Sequence, residues 1–151
     1  MKNNIIRIIL DWIEKNINSP LSQDDVINKS GYSKRHFQDI FYNETGNTIA
    51  RYILLRRLSL SATLLRLTSL SILEISVNYQ FNSQQSFSRA FKRHFKVTPI
   101  VYRKDAYWDF TYYLPQYNYF DFKKLESKKV LLILLLKKVK RKFFMLIFLL
   151  S

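Results

Sequence analysis

Residues 71–104, SILEISVNYQFNSQQSFSRAFKRHFKVTPIVYRK, hold three helix starts in one short stretch. Ser71 and Glu74 have the spacing of a capping box, in which the hydroxyl accepts from a backbone N–H and the carboxylate reaches back to the cap. Ile72, Ile75 and Val77 are the expected buried side of a short helix. After a turn at residues 79–82, Asn82 or Ser83 caps a second helix. There Phe87, Ala90, Phe91 and Phe95 fall at i, i+3, i+4 and i+8, one apolar stripe. Gln84, Gln85, Ser88, Arg89, Lys92 and Arg93 fall on the opposite face. Thr98-Pro99 marks a third start, a capping residue followed by proline at the first helical position.

A helix, a turn and a second helix with that polar face have the chemistry of a DNA major-groove reader. Gln pairs in bidentate fashion with adenine, Arg with guanine, and Ser with several bases. Lys92 and Arg93, a turn further on, are placed to neutralise phosphates. The bland alternative is a solvated face on a core helix, and the rest of the chain decides between the two.

Residues 22–41, SQDDVINKSGYSKRHFQDIF, repeat the pattern. Ser22 caps a helix whose first turn holds Asp24 and Asp25, where acids suit the helix dipole. Gly31 supplies a left-handed residue past its end. Ser33 caps the next helix, with Phe37, Ile40 and Phe41 facing inward and Lys34, Arg35, Gln38 and Asp39 outward. Arg35 and Asp39 have the i,i+4 spacing of an ion pair. His36 is balanced between a helix-surface role and a DNA contact, whereas His94 reads as structural. Ile27/Val77, Ser33/Ser83, Phe37/Phe87 and Phe41/Phe91 are all fifty positions apart. Two copies of one helix-turn-helix in a small chain favour DNA binding.

The stretch between the copies, residues 48–67, reads as one long helix capped by Thr48. Ile49, Tyr52, Ile53, Leu60, Leu64 and Leu67 are expected to face both halves, with Leu54 and Leu55 widening the apolar surface. Arg51, Arg56, Arg57 and Arg66 lie along it, and Arg56 and Arg57 are phosphate candidates. A rigid spacer makes sense here, because recognition helices in successive major grooves sit about 34 Å apart. Residues 4–17 form an amphipathic helix with Ile6, Ile9, Leu10, Ile13 and Ile17 in one stripe.

Composition narrows the function classes. The 151 residues carry a net charge of +14. Residues 1–104 hold 16 Lys and Arg against 7 Asp and Glu, so the folded part itself is basic, which favours a polyanionic partner. Cysteine is absent, which removes disulfides and thiolate chemistry. The two glycines, Gly31 and Gly46, are too far apart for a phosphate-cradling loop. Two histidines without metal-ligand spacing give no metal site, and no catalytic residue or cofactor is assigned. No secretory signal is read at the start, since residues 5–10 are short and interrupted by Arg7.

The run Phe91-Lys92-Arg93-His94-Phe95-Lys96-Val97-Thr98-Pro99-Ile100-Val101-Tyr102-Arg103 resembles the signature of the AraC/XylS family of transcription regulators. Residues 5–108 are similar throughout to its MarA/SoxS/Rob, TetD-like branch, notably at Arg56-Arg57-Leu58-Ser59, Leu65-Arg66-Leu67-Thr68 and Ser83-Gln84-Gln85-Ser86-Phe87. The resemblance implies an all-α domain with two helix-turn-helix units entering successive major grooves. It further implies a cytoplasmic monomeric activator of bacterial stress or drug-resistance promoters, with RNA polymerase as a second partner. The chain departs from the branch at Arg35, where the family has Trp, and at Asp39, where it has a base-reading Arg. An acid there repels phosphates but accepts a hydrogen bond from cytosine N4. Altered sequence preference in the first unit is therefore expected.

Past residue 107 the pattern changes. Residues 107–122 are crowded with aromatics. Residues 130–136 and 143–150 are apolar runs separated by a basic one, each shorter than the roughly 20 residues of a membrane helix. This tail reads as the remnant of a larger second domain; a membrane-surface or partner-binding segment and a helix packed on the body are the alternatives.

The expected fold is thus all-α, with about seven helices in two packed lobes. A DNA-binding domain over residues 1–106 comprises helix-turn-helix units at 22–42 and 71–95 and the central helix at 48–67. Residues 107–151 form the linker and tail. Double-stranded DNA is the partner. Arg35, Gln38, Asp39, Gln84, Gln85, Ser88 and Arg89 are the expected base readers. Ser33, Lys34, His36, Arg56, Ser83, Lys92, Arg93, Thr98 and Arg103 are the expected phosphate contacts. The competing reading is a membrane-surface or non-specific polyanion-binding protein with a degenerate DNA-binding body.

Overall fold

The computed structural model describes residues 2–105 and 111–116. The apolar runs at 130–136 and 143–150 and the basic run between them lie outside the described residues, as does most of the aromatic stretch. Seven helices follow one another among the described residues: α1 (Lys2–Lys15), α2 (Gln23–Ser30), α3 (Lys34–Thr45), α4 (Ile49–Leu67), α5 (Ile72–Asn78), α6 (Gln84–Phe95) and α7 (Pro99–Lys104). No helix among these residues is long and apolar enough to cross a membrane.

Two cores lie on either half of α4. In the first, Ile6, Ile9, Leu10 and Ile13 of α1 pack with Val26, Ile27, Phe37 and Phe41, and Ile49, Tyr52 and Ile53 close it from α4. In the second, Leu58, Ala62 and Leu65 of α4 meet Ile75, Phe87, Phe91, Phe95 and Tyr102. Each fully buried aliphatic or aromatic side chain contributes about 1.5–3 kcal/mol of transfer free energy. Leu60 touches both cores, so α4 acts as the shared wall. Its register differs from expectation. Leu54 and Leu67 are exposed at the surface, while the polar Arg56, Ser59 and Ser61 are buried.

The buried arginine explains part of that shift. Arg56 donates from Nε and Nη2 to the two carboxylate oxygens of Glu14 on α1, at 2.7 and 2.8 Å, and from Nη1 to the Leu114 carbonyl. Burial works against its charge, but Glu14 more than restores it, so the guanidinium is held above its ordinary range. Removing one partner of such a buried pair costs about 3–5 kcal/mol. Serines are tolerated beside it because Ser61 Oγ donates to the Arg57 carbonyl and Ser59 Oγ accepts from the Leu114 N–H.

The internal repeat is wider than the sequence comparison suggests, and its offset changes once. Capping boxes start both α2 (Ser22 with Asp25) and α5 (Ser71 with Glu74), forty-nine positions apart. From α3 onward the offset is fifty. Gly46 and Lys96 end α3 and α6 in the left-handed region, and Thr48 and Thr98 cap α4 and α7. Phe41 meets Tyr52 edge-on at 5.6 Å, and Phe91 meets Tyr102 edge-on at 5.3 Å. The extra residue lies in the second turn, where Gln80 takes φ 60°. Ile27 therefore corresponds to the buried Ser76, not to Val77. Val77 is 59% exposed, against the expectation that it faces inward; Ile75, Ser76 and Tyr79 are the buried residues. One inserted residue is enough to rotate a helical position by about 100°.

Residues 111–116 also belong to this body. Leu114 packs against the first core.

Candidate nucleic-acid interface

The second helix of each repeat is held by its aromatic side, which leaves the opposite face to solvent. In α6, Phe87 and Phe91 are fully buried and Phe95 nearly so; Phe87 meets Phe91 tilted at 5.6 Å and Phe91 stacks on Phe95 at 4.5 Å. This fixes the rotation of the helix about its axis. Gln84, Gln85 and Arg89 are exposed, Ser88 is half-exposed, and Lys92 and Arg93 are exposed a turn later. All six expected outward residues thus share one accessible face. Ser83 and Ser86 form a reciprocal capping box at the start of the helix.

Lys96 extends the basic face. Arg89, Lys92, Arg93 and Lys96 together line one surface depression. Lys96 was missed by sequence reasoning, although its i+3 and i+4 spacing from Arg93 and Lys92 was available. Its Nζ donates to the Arg93 carbonyl at 3.0 Å, which holds the ammonium at the helix C-terminus, where positive charge is favoured.

The matching face of α3 is weaker in charge. Arg35, His36 and Asp39 are exposed and Gln38 is half-exposed, all reachable from solvent. Lys34 is engaged with Asp24 of α2 at 3.0 Å, an exposed pair of little energetic weight. The i,i+4 pair anticipated between Arg35 and Asp39 does not form among the described residues; Lys34 on the same helix pairs instead with Asp24. His36 lies 5.4 Å from the Tyr32 ring, a local contact. Ser33 occupies the N-cap position of α3 with extended backbone but makes no side-chain cap.

Two anticipated phosphate contacts are corrected. Arg56 is 3% exposed and fully engaged with Glu14 and Leu114, so its charge is spent inside the protein. Arg103 turns inward and donates to the carbonyls of Leu65 and Leu70 at the end of α4 and just beyond it. Both interactions join distant parts of the chain, which spacing along one helix cannot reveal. Arg57, noted beside Arg56, is likewise tied to the carbonyls of Ile17 and Ser19 at 3.0 and 2.8 Å. Thr98 spends its hydroxyl on the Val101 N–H. Among the described residues no group of three or more His, Asp or Glu side chains is arranged to hold a metal.

This arrangement matches known proteins. A family model described as a helix-turn-helix domain covers residues 26–105. The transposon Tn10 TetD protein of Escherichia coli is 52% identical over 105 residues, 70% of this chain and 76% of that one. The right origin-binding protein of Escherichia coli strain K12 is 51% identical over 104 residues, 69% of this chain but 36% of that one. The chain therefore spans about a third of the length of that relative. The crystal structure of a regulator from Chromobacterium violaceum, described as AraC-type and DNA-binding, matches with a TM-score of 0.63 at 33% identity. That match covers 67% of this chain and 90% of the other. With the fold, the repeat and the matched residues in agreement, the chain belongs to the AraC-type helix-turn-helix family of DNA-binding transcription regulators, in its MarA/SoxS/Rob branch.

Proposed function

We propose that this chain is a sequence-specific activator of bacterial stress or drug-resistance promoters, working in the cytoplasm as a monomer with DNA and RNA polymerase as partners. It acts by binding and not by catalysis. The observation that carries this reading is the face of α6, where Gln84, Gln85, Ser88 and Arg89 stand clear of a helix locked by its three phenylalanines. Those side chains read bases in one major groove, and Arg35, Gln38 and Asp39 read the next. Lys34, His36, Lys92 and Arg93 meet phosphates, joined by the backbone N–H groups at the starts of α3, α6 and α7 near Ser33, Ser83 and Thr98. The DNA-binding domain spans 1–106 as a recognition unit, with residues 107–151 following it.

The test is binding of the full chain to a family-type promoter site and to random duplex, over a range of salt. The expected result is a clear preference for the site, with a log–log salt slope of about −0.9 per phosphate neutralised. Equal and steeply salt-dependent binding to both duplexes would reject sequence-specific readout. A promoter-reporter assay with the same site separates activation from repression.

A further inference from the structure

Residues 111–116 reach both lobes. Toward the first, Leu114 packs on the core, its carbonyl accepts from Arg56, and its N–H donates to Ser59 Oγ at 2.9 Å. Arg56 in turn holds Glu14 of α1. Toward the second, the Tyr112 carbonyl lies 2.6 Å from His94 Nε2 at the C-terminal end of α6, and Lys96 Nζ stands 5.9 Å from the Tyr112 ring. Between these anchors, the Tyr113 hydroxyl meets Thr63 Oγ1 on α4 at 3.3 Å. A further tie between the lobes is Gln80 Nε2 donating to the Asn18 carbonyl at 2.8 Å.

We propose that this segment is a brace that sets the spacing between the two recognition helices, with Leu114 and Tyr112 as positioning residues for two-groove binding. The inference rests on the proposed two-groove reading. Two recognition helices on one rigid body gain affinity only when both sites fit at once, since the second contact is then made at high effective concentration. Both cores pack on α4, the second through Leu58, Ala62 and Leu65 against Phe87, Phe91 and Phe95. A strap seated in the first core and bound to the α6 terminus adds a direct link from the first lobe to that end of the recognition helix. The cost of a strap made of irregular backbone is met by buried hydrogen bonds, because Ser59 and Arg56 are themselves buried and need those partners.

The test compares the full chain with Leu114→Ala and, in case that variant folds poorly, Ser59→Ala, which removes the acceptor for the Leu114 N–H. Each binds four duplexes: a family-type site at its natural half-site spacing, the same site with one base pair inserted or removed, and a single half-site. The wild-type chain is expected to lose about tenfold or more in affinity when the spacing changes by one pair, which turns and shifts one half-site against the other. The variants should bind the naturally spaced site more weakly, bind the half-site as before, and lose their discrimination between spacings. A wild-type chain that binds the full site no better than the half-site would defeat the two-groove reading itself. A sharp wild-type spacing optimum that both variants retain, even at lower thermal stability, would overturn the brace alone.

Discussion

The two helix-turn-helix units share a backbone plan and differ in charge. Both begin with a reciprocal capping box, both place a pair of phenylalanines in the core, and both end the second helix on a left-handed residue. On α3, however, Lys34 and Arg35 are offset by Asp39 and Glu44, while α6 carries Arg89, Lys92 and Arg93 with no acid. Repeated geometry therefore does not imply equal roles. Packing is symmetric because burial tolerates little change, and the exposed faces differ in charge because they are free to change without cost to the fold.

The symmetric half of that comparison is the easiest to break. Phe37 and Phe87 are both fully buried at equivalent positions. Each truncation to alanine is expected to cost about 3–5 kcal/mol, read from urea midpoints. Near-equal losses, with loss of the whole transition at once, would show that the lobes fold as one unit through α4. A variant that melts only one lobe would show that the symmetry is geometric and not energetic.

The asymmetric half is tested at the recognition faces. Arg89→Ala is expected to weaken binding to a family-type site by about 1–3 kcal/mol and to spare random duplex, as loss of a base contact should. Arg35→Ala is expected to cost less. Asp39→Arg reverses a charge on the weaker face and should raise affinity for family-type sites; unchanged affinity would mean that Asp39 does not limit the first unit. Equal losses for Arg89→Ala on specific and random DNA would instead make Arg89 a phosphate contact.

How much of this was legible in the sequence follows from the range of each interaction. Caps and stripes are local, so Ser22, Ser71, Thr48, Thr98 and the paired phenylalanines could be read directly. The exposed faces of α3 and α6 follow from those stripes by helical geometry. Val77 was misplaced because one extra residue in the second turn shifts the repeat from forty-nine to fifty. Arg56 and Arg103 were misplaced because their partners lie far along the chain, at Glu14 and at the end of α4. The packing of Leu114 was invisible for the same reason. It follows a stretch without periodicity and is held through its own backbone.

The left-handed C-caps offer a finer contrast. Gly46 takes φ 68° at no steric cost, whereas Lys96 takes the same φ with a side chain. Lys96→Gly is expected to stabilise the second unit by roughly 0.5–1 kcal/mol, and Gly46→Ala to destabilise the first by a similar amount. Open space surrounds Gly46, so the loss there would report backbone strain and not a clash. If Lys96 also meets a phosphate, the same substitution should flatten the salt slope of DNA binding by about 0.9. A more stable protein with an unchanged slope would remove Lys96 from the interface.

The smallest expected difference is one of pH. His94 of the second unit corresponds to Glu44 in the first, so a group that titrates near neutrality stands at this position in one copy only. Burial holds the imidazole below its ordinary 6.5; the Tyr112 carbonyl draws it upward, and Arg51 and Lys96 push it down again. In the unfolded chain the ring gains its proton near the ordinary value, and in the folded protein only at lower pH. Between those two values the unfolded state binds more protons, so stability rises with pH. The contribution is complete above the unfolded value and is lost as pH falls through the folded one. The urea midpoint should therefore drop on passing from about pH 7.5 to about pH 5.5, and His94→Gln should remove that step. The capping carboxylates Asp25 and Glu74, held below 3.8 and 4.5 by their serine partners, titrate at lower pH and leave this window clear. An equal drop in wild type and His94→Gln would assign the pH response to groups that the two units share.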